Sequence, residues 1–372
     1  MAANPLESYI SENSVPALVL TVFLVLVGVG LLLDLAFRLA TDPSIVSTMA
    51  TYTWDGLTLG LVLGLAGVGL SMTYSILNFA NFAHGDYLTT GAFAGWATTW
   101  AIAGFGSADL GSLILLGAGG DTYASDVGVN VLAAPLGIVA GLVVAVVATI
   151  LLSLFIDRTV FKPLRSAEGI TVLIASIGVA LALRYVIVLV WQQSKRGLTS
   201  GETNAFTWTR GSETLLQISW SDITLVVITV GLMLGIHLLL QTTKLGKAMR
   251  AMADNEDLAR ITGIPTERVV TWTWIVGGGL AGAAGYLIAL KQGTLGYNLG
   301  WLLLLLIFAA VILGGIGSVY GAIGGGLIIG LAAKVSLLWL PESSFARPTA
   351  FLVMILILVL RPQGLFAGRE TA

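Results

Sequence analysis

Asn78, Asn81, His84 and Asp86 stand within the stretch "LNFANFAHGDYL", residues 77–88, between two apolar, glycine-rich tracts. Such groups can cap helix ends, carry a proton or pair charge. In apolar surroundings they are tolerated when they face a bundle interior or aqueous path, pair with one another, or lie at a membrane edge. Their spacing does not make a hydrolase or a metal centre. The only histidines, His84 and His237, have no HExxH or cysteine company, and no Ser/His/acid spacing stands out. His237, on an apolar helix, is expected to be a satisfied structural histidine. There is no GxxxxGK[ST], and the glycine-dense stretches lie in apolar tracts where a phosphate would be unsolvated. No cofactor, metal or catalytic residue is therefore expected in this chain.

The elements that must position these residues follow from composition. Hydrophobic residues make up 56% of the chain and charged residues 10%, with a mean hydropathy of +0.94. A bilayer core of ~30 Å requires ~20 helical residues. Apolar runs of that order lie near 16–39, 56–76, 87–105, 131–156, 169–191, 221–240, 268–290, 299–315, 319–340 and 347–361. The fold class expected is all-α: a polytopic bundle of about ten transmembrane helices. The stretch 107–120 is too short to cross and reads as an interfacial or re-entrant piece. The tract at 16–39 lacks a basic n-region and a cleavage site, so it is kept as a span rather than a secretory signal. Zero cysteines exclude disulfides, and a net charge of -2 with no Lys/Arg run gives no surface for nucleic acid.

Positive residues in short loops are retained on the cytoplasmic side. With both termini inside, the inner segments hold ten Lys and Arg residues, the outer segments six, and Arg184 and Lys334 fall within spans. The bias rests on "DRTVFKPLR" and on residues 241–268, which demand the same side with two spans between them. Glycines recur at every fourth position, as in Gly56, Gly60 and Gly64 or Gly317, Gly321 and Gly325. Lipid offers no hydrophobic drive for helix association, so such small-residue faces imply close backbone packing.

The largest soluble piece is "QTTKLGKAMRAMADNEDLARITGIPTERV", residues 241–269. Asn255 caps a short helix with Glu256 and Asp257 in its first turn, Arg260 near its end, and Gly263 where a left-handed residue is wanted. Leu258 and Ile261 share one face and form an apolar ridge suited to docking a partner; packing against the chain's own bundle is the other reading.

"TLGLVLGLAGVGLSMTYSILNFANFAHGDYLTTGAF", "DRTVFKPLRSAEGITVLIASIGVAL", the 244–285 segment, "AAVILGGIGSVYGAIGGGLIIG" and "LVLRPQGLFAG" together resemble the LivH-type permease of branched-chain amino acid ABC importers. The resemblance covers roughly 55–368. It implies a permease domain there, an N-terminal extension 1–54 with one added helix, and a tail 369–372. The family's NFAHG element is represented by Asn81, Phe82, Ala83, His84 and Gly85. Its coupling segment is represented by Arg250, Ala251, Ala253, Asn255, Ala259, Gly263 and Ile264. The resemblance implies that the coupling loop, with Asp257, Leu258, Arg260 and Ile261, meets an ATPase. It also implies a multi-pass protein of a prokaryotic cell membrane. Its partners would be a second permease subunit, two ABC ATPase subunits that carry ATP and Mg, and an extracellular binding protein. Two departures stand out: the extra N-terminal span, and Ala333 followed by Lys334 where a glutamate is expected.

Parity puts residues 77–86 near the inner end of one span and the turn into the next. Asn78, Asn81, His84 and Gly85 there, with Gly314, Gly315 and Gly317 in "GGIGSVYG", are the expected helix breaks and inner pathway; a solvated turn that only sets helix geometry fits equally. Arg184 and Lys334 are expected to snorkel toward the outer surface, with contact to a substrate carboxylate as the lesser reading. The cargo expected is Leu, Ile or Val, with urea, amides or other amino acids as alternatives. A self-sufficient secondary transporter or channel is the competing class. Purified chain free of other subunits is expected to show no ATP binding or hydrolysis; robust ATPase activity in such a preparation would contradict the absence of a phosphate loop.

Overall fold

The computed structural model describes residues 14–42, 44–104, 129–165, 167–201, 203–211, 213–340 and 342–366. The segment 107–120 and the tail 369–372 lie outside the described residues. The helices are α1 (Ser14–Thr41), α2 (Ile45–Leu77), α3 (Ala83–Ala103), α4 (Pro135–Ile156), α5 (Gly169–Trp191), α6 (Trp220–Thr242), α7 (Lys244–Asp254), α8 (Glu256–Ile261), α9 (Thr266–Gln292), α10 (Leu299–Gly314), α11 (Val319–Val335) and α12 (Ala346–Leu360). Among the described residues, seven helices are long and apolar enough to cross a membrane by length and composition. The chain is an all-α membrane protein with small β additions.

Several boundaries differ from expectation for identifiable reasons. Asp55 looked like the edge of a span, yet α2 runs through it from Ile45, because Lys291 Nζ lies 3.0 Å from the Asp55 carboxylate and neutralises it. Helix α4 starts at Pro135 rather than 131. The Asn130 side chain accepts from the backbone N–H groups of Leu132 and Ala133, forming a turn, and proline then suits the first helical position. Beyond Ile156 the chain continues through a π-turn (Asp157–Phe161) to Leu164. The loop 192–220 contains an antiparallel hairpin of β2 (Asn204–Arg210) and β3 (Glu213–Ser219). A second short ladder joins β1 (Arg196–Gly197) to β4 (Thr294–Leu295).

Residues 157–165 and 241–268 share one end of the bundle, as their charge required: Lys162 Nζ and Arg165 Nη1 lie 2.8 and 3.0 Å from the Glu267 carboxylate. This is called the loop end below; the opposite end carries the hairpin. Helices α2 and α9 are almost wholly enclosed, whereas α4, α5, α6 and α12 surround them and expose aliphatic faces. The order of elements in 45–191 returns in 266–360. Each half has a long helix, an extended break, and three further helices, but α2 runs toward the loop end and α9 away from it. The halves are interlocked. Helix α2 packs antiparallel on α11, and α9 packs antiparallel on α4. A Cβ on Gly60 would stand 2.7 Å from Leu327 Cα, and one on Gly278 would press on Ser153. The two breaks meet where a Cβ on Gly300 would overlap the carbonyl oxygen of Gly85.

Gly300→Val should therefore destabilise the fold by about 1–3 kcal/mol or more through overpacking. Gly178→Ala, whose added Cβ meets nothing within 4 Å, should be neutral or stabilising by up to ~1 kcal/mol. Thermal unfolding midpoints in detergent would show the contrast, and equal midpoints for both variants would refute it.

Candidate functional site

The polar stretch is not a surface turn. Helix α2 ends at Asn78, which adopts the left-handed conformation (φ 52°) and donates its N–H to Tyr74 O. From there the chain climbs along α5. The Asn78 carbonyl is beside Gly169, Ser176 Oγ accepts from Phe82 N (3.0 Å) and donates to Ala80 O (3.4 Å), and Arg184 reaches Asp86. At ~1.5 Å per helical residue, Ser176 and Arg184 lie ~10 and ~22 Å from the start of α5. Helix α3 thus begins well inside the span. The turn between the two helices falls where expected, but it is not solvated: Asn78 is exposed, whereas Asn81, His84, Gly85 and Asp86 are buried.

Away from water, each backbone group freed by the break must find a partner. Asn81 Oδ1 accepts from Ala83 N at 3.0 Å, and the Asn81 carbonyl accepts from His84 N. His84 Nε2 sits 3.0 Å from Ala66 O, and its ring lies against Gly69. These side chains hold the break together and stitch α3 to α2. Neither Asn81 nor His84 lines the two loop-end cavities or the cavity at the hairpin end; Asn78 lines one at the loop end. On the other half, Gly300 N donates to Thr89 Oγ1 at 2.9 Å and Leu198 N to Gly293 O at 2.7 Å, so the second break is satisfied by side-chain and strand contacts.

Arg184 does not snorkel. Its Nε and Nη2 lie 3.2 and 2.9 Å from the two Asp86 oxygens, and its guanidinium stacks 4.4 Å above the Trp301 ring. The Asp86 side chain is fully buried and that of Arg184 is 12% exposed. A charge in hydrocarbon costs several kcal/mol, ~3 on insertion scales, and pairing is the cheaper solution than reaching the surface. Asp86 also sits in the first turn of α3, where the helix dipole favours an anion. The sequence held both charges but not the fold that brings residues 98 apart together.

At the loop end, Asn255 Oδ1 accepts from Leu258 N at 2.9 Å and caps α8, Arg260 pairs with Glu256 at 2.7 Å, and Gly263 takes φ 87°. Ala259 is buried against the bundle, while Leu258 and Ile261 are 55% and 81% exposed. Asp257 is exposed as well. Arg250 and Ala253 line a small apolar cavity with Gly317, beside which Ser75 Oγ donates to the Gly317 carbonyl at 3.2 Å. Gly314 packs on Gly321, and Gly315 (φ 102°) is met by Gly364 of the C-terminal segment. Glu256 and Arg260 share a larger cavity of about 540 Å3 with Asn78, Arg165 and Glu267. The polar face of α8, through Glu256 and Arg260, and the first helix break therefore line one space. His237 Nδ1 is 2.6 Å from the Tyr320 hydroxyl, joining α6 to α11.

At the opposite end, Lys291 bridges Asp55 and Asp222 at 3.0 and 2.6 Å; the sequence offered only a loop lysine there. Lys334 is half-buried and lines a cavity rather than reaching freely into solvent. Among the described residues no group of three or more His, Asp and Glu is placed to hold a metal ion.

Helices broken inside the span, interlocked inverted halves and a capped amphipathic helix outside it define a membrane permease. The chain belongs to the family described as branched-chain amino acid transport system / permease component, which it matches over residues 52–360. It is 27% identical over 316 residues to the high-affinity branched-chain amino acid transport system permease protein BraD of Pseudomonas aeruginosa, covering 85% of this chain and 95% of the relative. It is 27% identical over 317 residues to the corresponding permease protein LivH of Escherichia coli K12, with the same coverage. It is 28% identical over 312 residues to a probable LivH of Methanocaldococcus jannaschii, covering 82% of this chain and 88% of the relative. No solved structure matches the chain.

Removing one partner of the buried pair leaves an uncompensated charge, so Asp86→Leu or Arg184→Met should each cost about 3–5 kcal/mol. The double variant should lose much less than the sum. Unfolding of the four proteins in detergent gives the coupling, and purely additive losses would contradict the pairing.

Proposed function

We propose that this chain is the membrane permease subunit of an ATP-driven importer and that its cargo is a branched-chain amino acid. The observation that carries the proposal is the family match over 52–360, and the transport systems for which the relatives are named supply the cargo. The chain crosses the membrane ten times, α1 included, and its close helix contacts at Gly60 and Gly300 belong to a glycine-packed bundle. The loop end is cytoplasmic, because residues 157–165 and 241–268 concentrate Lys and Arg there, and both termini lie there.

In this scheme the permease pairs with a second permease, two ATPases supply hydrolysis with their own ATP and Mg, and a binding protein delivers cargo to the hairpin end. The ridge of Leu258 and Ile261 fits an apolar groove on an ATPase. Movement of α8 reaches the 78–82 break through the cavity they share, and so biases outward-facing against inward-facing states. Asn78, Gly315 and Gly317 lie where the inner part of the path would open; Asn81, His84 and Gly85 act by holding the break.

The inverted halves and the mid-span Asp86–Arg184 pair also suit a self-sufficient secondary transporter. The exposed ridge and the family match favour the ATP-driven reading. Vesicles containing the complete importer and binding protein should take up radiolabelled leucine only with ATP. Leu258→Asp should reduce that uptake at least tenfold while leaving the permease inserted and folded. ATP-independent uptake by the chain alone would favour the secondary transporter, and saturable urea uptake without leucine competition would displace the assigned cargo.

A further inference from the structure

At the hairpin end, Lys195, Lys334 and Arg347 come from three separate parts of the chain to line one cavity of about 440 Å3. Lys195 precedes β1, Lys334 closes α11 and Arg347 opens α12. Among the described residues no acidic side chain lines this cavity. None of the three bases forms an ion pair among the described residues, in contrast to Lys291 nearby, which has two. Glu342 stands beside the rim, where Ser344 donates to it at 3.4 Å, but it is not part of the lining. Beneath the bases the wall is aliphatic, with Leu59, Leu299, Leu303 and Leu306, and Asn298 adds an amide.

Three unneutralised cations around one concavity create a field that attracts anions. Lys195 and Arg347 are exposed at the mouth and Lys334 is half-buried, so an entering anion meets all three. The leucine wall rewards an apolar body on that anion by burying its surface. We propose that this cavity is an entry vestibule that binds short aliphatic carboxylates, holding the carboxylate among Lys195, Lys334 and Arg347 and the branched side chain against the leucines. Because no carboxylate among the described residues lines the cavity to receive an ammonium group, the ligand's carboxylate is the group recognised. A branched 2-oxo acid should bind at least as well as the matching amino acid, and an amino acid amide should bind poorly. The vestibule rests on the importer reading only for the source of the carboxylate. An anionic lipid headgroup shares the same chemistry.

The test is calorimetric titration of the full-length chain in nanodiscs of purely zwitterionic lipid, with leucine, 4-methyl-2-oxopentanoate and leucinamide. Expected are binding of both carboxylates and at least tenfold weaker binding of leucinamide. Lys334→Met and Arg347→Met should each weaken the 2-oxo acid by tenfold or more, while Lys334→Arg retains it. Equal binding of leucinamide, no carboxylate binding, or parental affinity in both Met variants would overturn the proposal. Nanodiscs doped with anionic lipid separate the two sources. Competition between lipid and 2-oxo acid is expected, and lipid occupancy that the carboxylates cannot displace, with none bound in zwitterionic discs, assigns the cavity to lipid and overturns the vestibule. The ligand comparison on the parent protein stands even if a variant misfolds. No step involves transport, so carboxylate binding here with no ATP-driven leucine uptake would sink the importer and leave the vestibule.

Discussion

A backbone that stops being helical inside a bilayer must satisfy its own N–H and C=O groups, because hydrocarbon offers no alternative partner. Two such places, 78–82 and 293–298, determine the layout of this molecule. At the first, Asn81, Ser176 and the Asn78 cap take up the freed groups. At the second, β1 and Thr89 do so. Each solution draws on a distant element, so the breaks fix where α5 and the 196–199 segment must lie. They also set α3 and α10 tip to tip at Gly85 and Gly300, too close for any side chain between them.

The same economy explains the charges. Asp86 compensates the N-terminal dipole of α3 and is itself compensated by Arg184, so the polar centre is neutral without water. Lys291 does the equivalent at the hairpin end for Asp55 and Asp222. A contrasting case is the cavity edged by Lys195, Lys334 and Arg347. Its contrast with two fully paired networks in the same chain is what marks it.

Features that depend on neighbouring residues were legible in the sequence. The apolar tracts are helical because hydropathy and length act locally, and the α8 cap follows from Asn255, Glu256 and Gly263 within one short segment. The common side of the two basic loops followed from charge alone and is seen in their shared Glu267. What escaped were relations between distant residues. Asp86 and Arg184 looked like one inner-turn carboxylate and one snorkelling cation, because nothing local says that α3 begins deep in the span. The inverted correspondence of the halves left no readable repeat, since helix packing constrains side-chain size more than identity. The hairpin of 204–219 was hidden in a polar loop, although Gly211 (φ 65°) supplies its turn.

The interlocking of α2 with α11 has a consequence for biogenesis. Ser75 and Gly317, joined by a hydrogen bond in the finished protein, are 242 residues apart. A helix made early at the ribosome thus waits for nearly the whole chain to be synthesised before its main neighbour arrives. Until then the glycine-rich face of α2 has only lipid or transient partners against it. Assembly from two independently folding halves is excluded by this arrangement, and the final docking of α11 is a step at which insertion chaperones would have the most to protect.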